Sequence, residues 1–189
     1  MVWMGQVHGT KILKLSRPSP RGFLPSTDGC LTSASNLALL VRTADCLPIL
    51  LYDERCRSIC ALHAGWRGLL GGIVSKGVSE LSAAASCSPS KIFAAFGPSI
   101  HMSCYEIGEE VRRFFFDAYG QDAARFFRRY KKSLRMSLQG LAVRQLVMAG
   151  LRPACIKPSE HCTACSPKEY YSFRARKDAG RIAAYIFKR

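Results

Sequence analysis

The sequence predicts an α+β fold, in which strands and helices mix without a regular alternation. Two apolar runs of strand length, LALLV (37–41) and LPILLY (47–52), are rich in Leu, Ile and Val and indicate buried strands. The segment 68–85 has apolar residues at three- and four-residue spacing, which indicates a helix. At 189 residues the chain suits one hydrophobic core, so we expect a single domain over residues 1–189.

The central elements follow from the same patterns. SICALHA (58–64) is a third strand, and DERCR forms a hairpin-like connection to it from the second. The glycines of the helix over 68–85 indicate close packing at its start. KIFAAFG (91–97) predicts another strand, which ends at Pro98.

The carboxy-terminal half adds two helices and two strands. EIGEEVRRFFFDAY (106–119) predicts a helix whose acidic first turn suits the helix dipole. SLQGLAVRQLVMAG (137–150) predicts a second helix, ended by Gly150. YYSFRA (170–175) and RIAAYIF (181–187) are predicted as strands around the turn KDAG.

Composition favours a cytoplasmic protein. No apolar run reaches the roughly 18–20 residues of a membrane span, so no membrane contact is expected. The amino-terminal stretch lacks the long apolar core and cleavage site of a secretory signal. Nine cysteines, an odd number without an export signal, are most simply reduced thiols, some of them metal-bound or catalytic.

A formal net charge of +15 raises the question of a nucleic-acid partner. The charge is concentrated in RRFFFDAYGQDAARFFRRYKKSLR (112–135), where aromatic and basic residues alternate. Such a segment can stack on and neutralise a single strand. An amphipathic helical region, with Phe inward and Arg outward, is the favoured interpretation, so nucleic acid is the less favoured partner.

Two histidines and a cysteine form a possible metal site. His8 precedes a glycine in QVHG, Cys46 lies in TADCLP, and His63 lies in ALHAGWRG. Two imidazoles and one thiolate leave a fourth tetrahedral position for water or substrate on zinc. The spacings match no short zinc-finger pattern, so these residues alone leave open a buried thiol beside two hydrogen-bonded histidines.

Several motifs, taken together and in order, resemble the YfiH-type family. They are QVHGT, TDGCLT, TADCLPILLYD, ALHAGWRG, GPSI followed by CYEIGEEV, and the closing YYSFRARKDAGRIAAYI. The family, once labelled polyphenol oxidases or laccases, is regarded as purine nucleoside phosphorylases. The resemblance implies a layered α/β sandwich with mixed sheets, similar to cysteine hydrolase and deamidase folds. It also implies zinc ligands at His8, Cys46 and His63.

The implied reaction is phosphorolysis of adenosine, inosine or guanosine to the base and ribose 1-phosphate. Purine nucleosides and phosphate are then the partners, and methylthioadenosine cleavage and adenosine deamination are further implied activities. A zinc ion that activates water suits the deamination. A multicopper laccase needs on the order of ten histidines, and this chain has four, which excludes that chemistry.

Other residues near the motifs each have two interpretations. Arg67 is either an anion contact or a solvated arginine at a helix end. Asp45 either orients a histidine or caps a turn, and for Asp28 the turn is favoured over a site carboxylate. Cys104 is expected near the pocket, and Glu106 as a cap of the following helix.

Two further features bear on metal binding and completeness. His161, Cys162 and Cys165 offer three possible ligands for a structural zinc ion, which needs four. Only a distant residue such as Cys155 could supply the fourth, so a second zinc is disfavoured. The family usually has a longer segment before QVHG, with strands and a site arginine. We therefore expect this chain to lack the family's amino-terminal part. Ser137 stands where the family usually has an aspartate.

Two alternative functions stay open. One is a metal-free hydrolase, with Cys46 as nucleophile and His63 as its base. The other is an inactive truncated domain, or a basic domain that binds nucleic acid. The sequence carries no signal of an oligomeric state.

Overall fold

Thirteen strands are present in residues 1–16 and 22–189, which are the residues that the computed structural model describes. They are Val2–Met4 (β1), Ile12–Leu15 (β2), Phe23–Leu24 (β3), Gly29–Thr32 (β4), Leu37–Thr43 (β5), Leu47–Asp53 (β6), Ile59–Ala64 (β7), Ile92–Phe96 (β8), Glu106–Ile107 (β9), Phe127–Tyr130 (β10), Ser133–Met136 (β11), Ile156–Lys157 (β12) and Ile182–Lys188 (β13).

The helices are short. They are Trp66–Leu70 (α1), Ile73–Ala85 (α2), Glu109–Tyr119 (α3), Leu138–Met148 (α4) and Phe173–Arg176 (α5). Three 3₁₀ segments lie at Pro89–Lys91, Gly120–Phe126 and Pro153–Cys155. No helix in the described part of the chain has the length and apolar character needed to cross a membrane.

A six-stranded mixed sheet, in the order β12-β8-β6-β7-β4-β2, forms the middle layer. Every residue of β7 is buried, as is typical of a strand covered on both faces. Helix α2 packs on one face through Ile73, Val74, Val78 and Leu81, all buried in the same cluster as Ile49 and Leu62. The apolar runs found in the sequence therefore form the centre of the core.

A second sheet, in the order β13-β5-β1-β3, covers the other face of the middle layer. Val2, Leu39 and Val41 from this sheet share a buried cluster with Ile59 and Ala61 of β7. The third sheet is small, with the order β10-β11-β9. Helices, a mixed sheet and a second mixed sheet thus form layers, which confirms the predicted α+β fold.

Most of the predicted strands agree with the structure. The runs at 37–41, 47–52, 58–64 and 91–97 lie in β5, β6, β7 and β8. β6 and β7 pair antiparallel, as expected for the hairpin at DERCR. The sequence analysis did not identify β1 to β4, the strands before residue 37, each of which has four residues or fewer.

The predicted helix over 68–85 is wrong in one respect, because it is interrupted at Gly71 and Gly72. Gly72 has a φ of 79°, in the left-handed region that ends a helix and favours glycine. The chain therefore forms the short helix α1 and then restarts as α2. The glycines mark a break in the helix rather than close packing alone.

The prediction for residues 106–135 is partly wrong. Residues 106 and 107 form β9, and the helix starts at Glu109 and ends at Tyr119. Val111 and Phe115 face the core, whereas Phe114 is exposed. Residues 127–136 then form the antiparallel hairpin of β10 and β11, so only the first part of the aromatic and basic segment is an amphipathic helix.

The predicted strand over 170–175 is also wrong. Ser172 instead caps the short helix α5, because its hydroxyl accepts a hydrogen bond from the Ala175 N–H. β13 pairs antiparallel with β5 from Ile182 to Lys188 rather than with the preceding segment. The expected hairpin of residues 170–175 with residues 181–187 does not form, and β13 pairs instead with β5, which is distant in the sequence.

Candidate functional site

Three residues that are distant in the sequence converge at one end of the middle sheet. Each of His8, Cys46 and His63 offers one donor atom, and these three atoms lie within 4.8 Å of one another. His8 lies in the loop after β1, Cys46 precedes β6, and His63 lies near the end of β7. The fold therefore brings together the three residues that the sequence analysis selected as metal ligands.

Strand pairing explains how two of these residues meet. In the antiparallel pair of β6 and β7, Leu47 lies opposite Ala64 and Pro48 opposite His63. Cys46, one residue before β6, is therefore carried to the end of β7. Both strands are apolar and buried, which fixes their register because a slip by one residue would turn the side chains to the wrong face.

A buried carboxylate, Asp28, holds the other side of the cluster. Gly29 of β4 lies opposite Leu62 of β7, so Asp28 lies opposite His63. His63 Nδ1 is 2.8 Å from Asp28 Oδ1, and the backbone N–H of His63 donates to the Asp28 carbonyl at 2.7 Å. This contact places the Nδ1 proton on the Asp28 side and leaves Nε2 of His63 as the atom that can ligate a metal.

Asp28 also fixes the loop that carries His8. Its carboxylate accepts hydrogen bonds from the N–H groups of Val7, His8 and Gly9, at 3.2, 2.9 and 2.8 Å. His8 has a φ of 62°, a left-handed conformation that histidine adopts more readily than most residues. One carboxylate thus positions both histidines, a function for which the sequence analysis favoured a simple turn.

The close contacts shift the pKa values of the cluster. Burial raises the pKa of the Cys46 thiol, but hydrogen bonds and charge from His63 and His8 outweigh it and bring the pKa to about 6. Burial lowers the pKa of His63, whereas Asp28 and Cys46 raise it to about 9. Burial raises the pKa of Asp28, but His63 and the N–H groups of Gly9 and Val7 hold it below its ordinary value.

A glycine keeps space open beside the cluster. A Cβ atom at Gly65 would lie 3.0 Å from His8 Cδ2 and 3.1 Å from Cys46 Sγ, closer than most real contacts of a Cβ atom. A side chain at this position would therefore press on two of the three candidate ligands. Two imidazoles, one thiolate and an open side fit the donor set of a three-ligand zinc site.

Asp45, the neighbour of Cys46, turns to a different part of the chain. Its carboxylate accepts from the hydroxyls of Thr163 and Ser172, at 2.7 and 2.6 Å, and from the N–H of Arg174 at 2.6 Å. Within the described residues it has no hydrogen bond to a histidine, and Asp28 occupies that position. Asp45 has a φ of 93°, which directs it away from the cluster and toward the carboxy-terminal segment.

A cavity of about 710 Å³ opens onto His8, Cys46 and His63. Its lining is strongly basic and includes Arg42, Arg67, Arg174 and Arg181. It also includes the aromatic residues Trp66, Tyr105 and Phe173. A larger cavity of about 860 Å³ lies beside α2 and α4, but its lining has no histidine and no charged residue, unlike that of the first cavity.

Two of the cavity arginines are held by protein groups. Arg174 Nη1 donates to the Glu106 carbonyl, and Arg181 Nη1 donates to the carbonyls of residues 178–180. Arg67 instead lies over the Trp66 ring, 4.3 Å from its centre. The Arg42 and Arg67 guanidinium groups have no hydrogen-bonding or ion-pairing partner in the described part of the protein. They are thus available to an anion in the cavity.

Sequence reasoning missed several of these lining residues. Arg42 lies on the apolar strand β5, where a single exposed charge looks like ordinary solvation. Tyr105 lies just before β9, and Phe173 and Arg174 lie in helix α5, two segments that meet only in the folded chain. Gln6 could have been found, since it lies in the motif QVHG; its amide group exchanges two hydrogen bonds with the Arg42 backbone.

Cys104, Glu106 and Ser137, which the sequence analysis also singled out, all lie outside the lining of this cavity. Cys104 is not part of the cavity lining; it lies with Cys162 and Cys165, with donor atoms within 4.8 Å of one another. Cys155 is not part of this group. Glu106 does not cap α3, whose N-cap is Gly108. Ser137 caps α4 by accepting from the Gly140 N–H at 3.0 Å.

A sequence model of a family described as "Multi-copper polyphenol oxidoreductase laccase" matches residues 1–189. The chain is 32% identical to the purine nucleoside phosphorylase YfiH of Escherichia coli, over 98% of this chain and 73% of that protein. It is 33% identical to an adenosine deaminase from an unknown prokaryotic organism, over 88% of this chain and 64% of that protein.

The fold is similar to that of a solved structure. The crystal structure of a Bacillus licheniformis hypothetical protein, YfiH, superposes with a TM-score of 0.92 at 28% sequence identity. The similarity covers the whole of this chain and 74% of the other.

Proposed function

Because the chain belongs to the YfiH-type family, whose sequence model is described as a multi-copper polyphenol oxidoreductase laccase, we propose that it is a zinc-dependent purine nucleoside phosphorylase. Adenosine, inosine and guanosine are the proposed nucleosides. Adenosine deamination and methylthioadenosine phosphorolysis are proposed as further activities, the first because one relative is named an adenosine deaminase. Nine free cysteines and the proposed metabolic role suit the cytoplasm.

One observation carries this proposal: a single cavity combines a His-Cys-His donor set with four arginines. A phosphorolysis needs an anion site beside the reacting sugar carbon. A deamination needs an activated water beside the purine ring. The arginines support the first of these roles, and the His-Cys-His donor set supports the second.

We assign the zinc ligands to His8, Cys46 and His63. When bound by three protein ligands, zinc keeps one position for water or substrate and acts there as a Lewis acid. Asp28 orients His63 and the loop of His8, and such contacts behind a ligand sustain metal affinity. Gly65 keeps the approach to the ligands free.

We assign phosphate binding to Arg42 and Arg67. Both residues line the cavity, and their guanidinium groups have no competing acceptor among the described residues. Guanidinium recognises phosphate oxygens through paired N–H donors. In the reaction a phosphate oxygen bonds to C1′ of the ribose while the bond from C1′ to the purine nitrogen breaks. A phosphate ion that the arginines hold next to the ribose reacts faster than a free one, because it is already positioned for the attack on C1′.

The purine base requires an apolar surface. Phe173 is exposed over 52% of its surface and lies at the cavity wall with Trp66 and Tyr105. An aromatic base gains about 1–3 kcal/mol by stacking on such a ring. We therefore assign Phe173 to the base and the arginines to the phosphate.

The laccase description of the family does not fit this chain. The chain has four histidines, two of them in the candidate site, whereas a multicopper oxidase uses on the order of ten. Copper chemistry of that type is therefore not proposed.

One observation favours a second candidate, a metal-free cysteine hydrolase. Cys46, His63 and Asp28 form a chain of contacts that resembles a nucleophile, its base and an orienting carboxylate. The pKa of about 6 for Cys46 gives a thiolate at neutral pH. The zinc proposal needs His8 as a ligand, whereas in this alternative His8 only helps to lower the pKa of Cys46, which makes it the discriminating residue.

The first experiment incubates the protein with inosine and phosphate and measures hypoxanthine and ribose 1-phosphate. Arg67→Ala and Arg42→Ala should each raise the KM for phosphate by about 10-fold or more, the loss of one charged hydrogen-bonding partner. Zinc content should stay unchanged. Arg144→Ala, which removes an arginine paired with Asp122 outside the cavity, is the matched control. An unchanged KM for phosphate in both cavity variants would contradict the assignment of phosphate binding to Arg42 and Arg67.

A second experiment separates the two candidates through His8→Ala. This variant removes one zinc ligand but leaves the contacts of Cys46, His63 and Asp28. The proposal expects zinc and nucleoside cleavage to be lost together. Full activity in a zinc-free preparation, blocked by iodoacetamide, would instead establish the thiol nucleophile.

A further inference from the structure

A second group of sulfur atoms lies outside the candidate site. Cys104, Cys162 and Cys165 each contribute one sulfur atom, and these three atoms lie within 4.8 Å of one another. The Sγ atoms of Cys104 and Cys165 are 3.3 Å apart. None of the three residues contributes to the lining of the 710 Å³ cavity, so the group needs its own explanation.

Two loops are fixed against each other to form this group. Ser99 and Cys162 form a parallel bridge, in which the Thr163 N–H donates to the Ser99 carbonyl at 3.2 Å. The Cys104 N–H donates to the His101 carbonyl at 2.9 Å, which closes a turn. Cys165 follows Cys162 in a similar turn, closed by a 3.2 Å bond between their backbones. Backbone hydrogen bonds thus fix the main-chain positions of the three cysteines.

The environment of the thiols suits a cation. The His101 backbone N–H points at the Cys162 sulfur at 3.4 Å, a contact that stabilises a thiolate. Cys104 Sγ and Cys165 Sγ are 3.3 Å apart, so the ionisation of both thiols without a cation would bring two negative charges together. A bound cation would remove this repulsion.

We propose that Cys104, Cys162 and Cys165 bind a second, thiophilic metal ion, with a solvent molecule as the fourth ligand. Thiolate sulfur selects soft ions of the Zn²⁺ and Cu⁺ type, and zinc is four-coordinate in most protein sites. Binding replaces the thiol protons, which pass to solvent, and no atom is oxidised or reduced. Cys165 is exposed, so solvent reaches the fourth position.

The ion would brace the wall of the candidate site. Tyr105 follows Cys104 directly, and Phe173 and Arg174 follow the loop of Cys162 and Cys165. All three line the 710 Å³ cavity. The second site is therefore structural, and it ties together the two loops that complete the cavity.

Metal stoichiometry tests the proposal, with Zn²⁺ as the probe. The reduced, metal-free full chain is equilibrated with Zn²⁺, desalted and analysed for bound metal. Wild type should hold two ions, one for each group of ligands. Cys46→Ser and the pair Cys104→Ser with Cys165→Ser should each hold one. Cys56→Ser, which changes an exposed cysteine outside both groups, should still hold two.

Alkylation of the wild-type protein provides a test that does not depend on a variant folding. Cys56 and Cys165 are both exposed, and peptide mapping reports each thiol separately. Zn²⁺ should slow the alkylation of Cys165 at least tenfold and leave Cys56 unaffected. Two ions in the Cys104→Ser and Cys165→Ser protein, a single ion in wild type that this variant retains, or equal alkylation of Cys165 with and without Zn²⁺ would each overturn the proposal. A single ion in wild type that Cys46→Ser retains would instead count against zinc at His8, Cys46 and His63. So would a Cys104–Cys165 disulfide that persists in the reduced preparation.

Discussion

Asp28 and Asp45 are both buried carboxylates beside the candidate ligands, yet they stabilise different parts of the protein. Asp28 accepts hydrogen bonds from three successive backbone N–H groups and contacts the ring of His63. Asp45 accepts from Thr163, Ser172 and Arg174, more than a hundred residues further along the chain. The first holds the ligands, and the second holds the wall of the cavity.

This difference separates two requirements of a site. Ligand orientation depends on a carboxylate that faces a histidine ring, as Asp28 does. Substrate enclosure depends on the carboxy-terminal segment, which brings Phe173 and Arg174 to the cavity and is fixed through Asp45. Metal affinity and substrate affinity should therefore respond to different mutations.

Asp28→Ala should have the largest effect. The change leaves the charged form of His63 and three backbone N–H groups without their acceptor, at a cost of about 3–5 kcal/mol in the free energy of unfolding. Zinc affinity should fall by about 10–100-fold. Urea unfolding of the metal-free protein and competition with a chelator measure the two quantities.

Asp28→Asn is the control for this variant, because it retains the shape and one acceptor oxygen. It should lose less stability than the alanine variant while still weakening zinc. Zinc binding at the wild-type affinity in both variants would show that Asp28 only closes a turn, the interpretation that the sequence alone favoured.

Asp45→Ala should give the converse result. Two hydroxyls and one N–H lose a buried acceptor, which lowers the free energy of unfolding by about 1–3 kcal/mol. The loosened segment should raise the KM for nucleoside, whereas one zinc ion should remain at His8, Cys46 and His63. Metal analysis and inosine phosphorolysis check the two parts. Loss of zinc from this variant would show that Asp45, like Asp28, supports the candidate ligands, which contradicts the different roles assigned to the two carboxylates.

The sequence predicted which three side chains converge better than it predicted the residues that support them. His8, Cys46 and His63 lie in recognisable motifs next to strands, so their residue types and the family resemblance were enough to select them. Asp28 depends on the pairing of β4 with β7, and β4 is only four residues long, with no periodic pattern of its own. By sequence, Asp45 next to Cys46 either orients a histidine or caps a turn, whereas in the folded chain its carboxylate bonds to Thr163, Ser172 and Arg174.

In the fold, too, elements with a local sequence pattern were predictable, whereas those that depend on distant contacts were not. Continuous apolar runs gave β5, β6, β7 and β8, because burial on both faces leaves a strong local signal. The side chains of residues 170–175 favour a strand, whereas a serine cap and the hydrogen bonds to Asp45 impose a helical turn. Tertiary contacts between distant segments decided this element, and a local pattern does not contain them.

The pH dependence of Cys46 alkylation in the metal-free protein should distinguish the carboxylates in a further way. The pKa of Cys46 is lowered to about 6, so its thiolate persists down to that pH and is lost below it. Iodoacetamide should modify Cys46 at a steady rate near pH 7.5, and the rate should fall about tenfold per pH unit below about pH 6. Peptide mapping follows the reaction at this residue.

Asp28→Asn should move this fall toward higher pH, because His63 loses the carboxylate that favours its charged form, and the charged ring stabilises the thiolate. Asp45→Asn should leave the profile in place. Identical profiles for wild type and Asp28→Asn would mean that Asp28 does not act on Cys46 through His63.

Thr163→Val should have the smallest effect. It removes one hydroxyl donor from Asp45 and keeps a side chain of the same shape, while Ser172 still bonds to the same oxygen. The free energy of unfolding should fall by about 1 kcal/mol. Thr43→Val is the matched control: its buried hydroxyl has no hydrogen-bonding partner in the described residues, so the change should be neutral or stabilising. If urea unfolding gave equal losses for the two variants, the hydroxyl contact would contribute nothing, and the carboxy-terminal segment would depend on Ser172 and Arg174 alone.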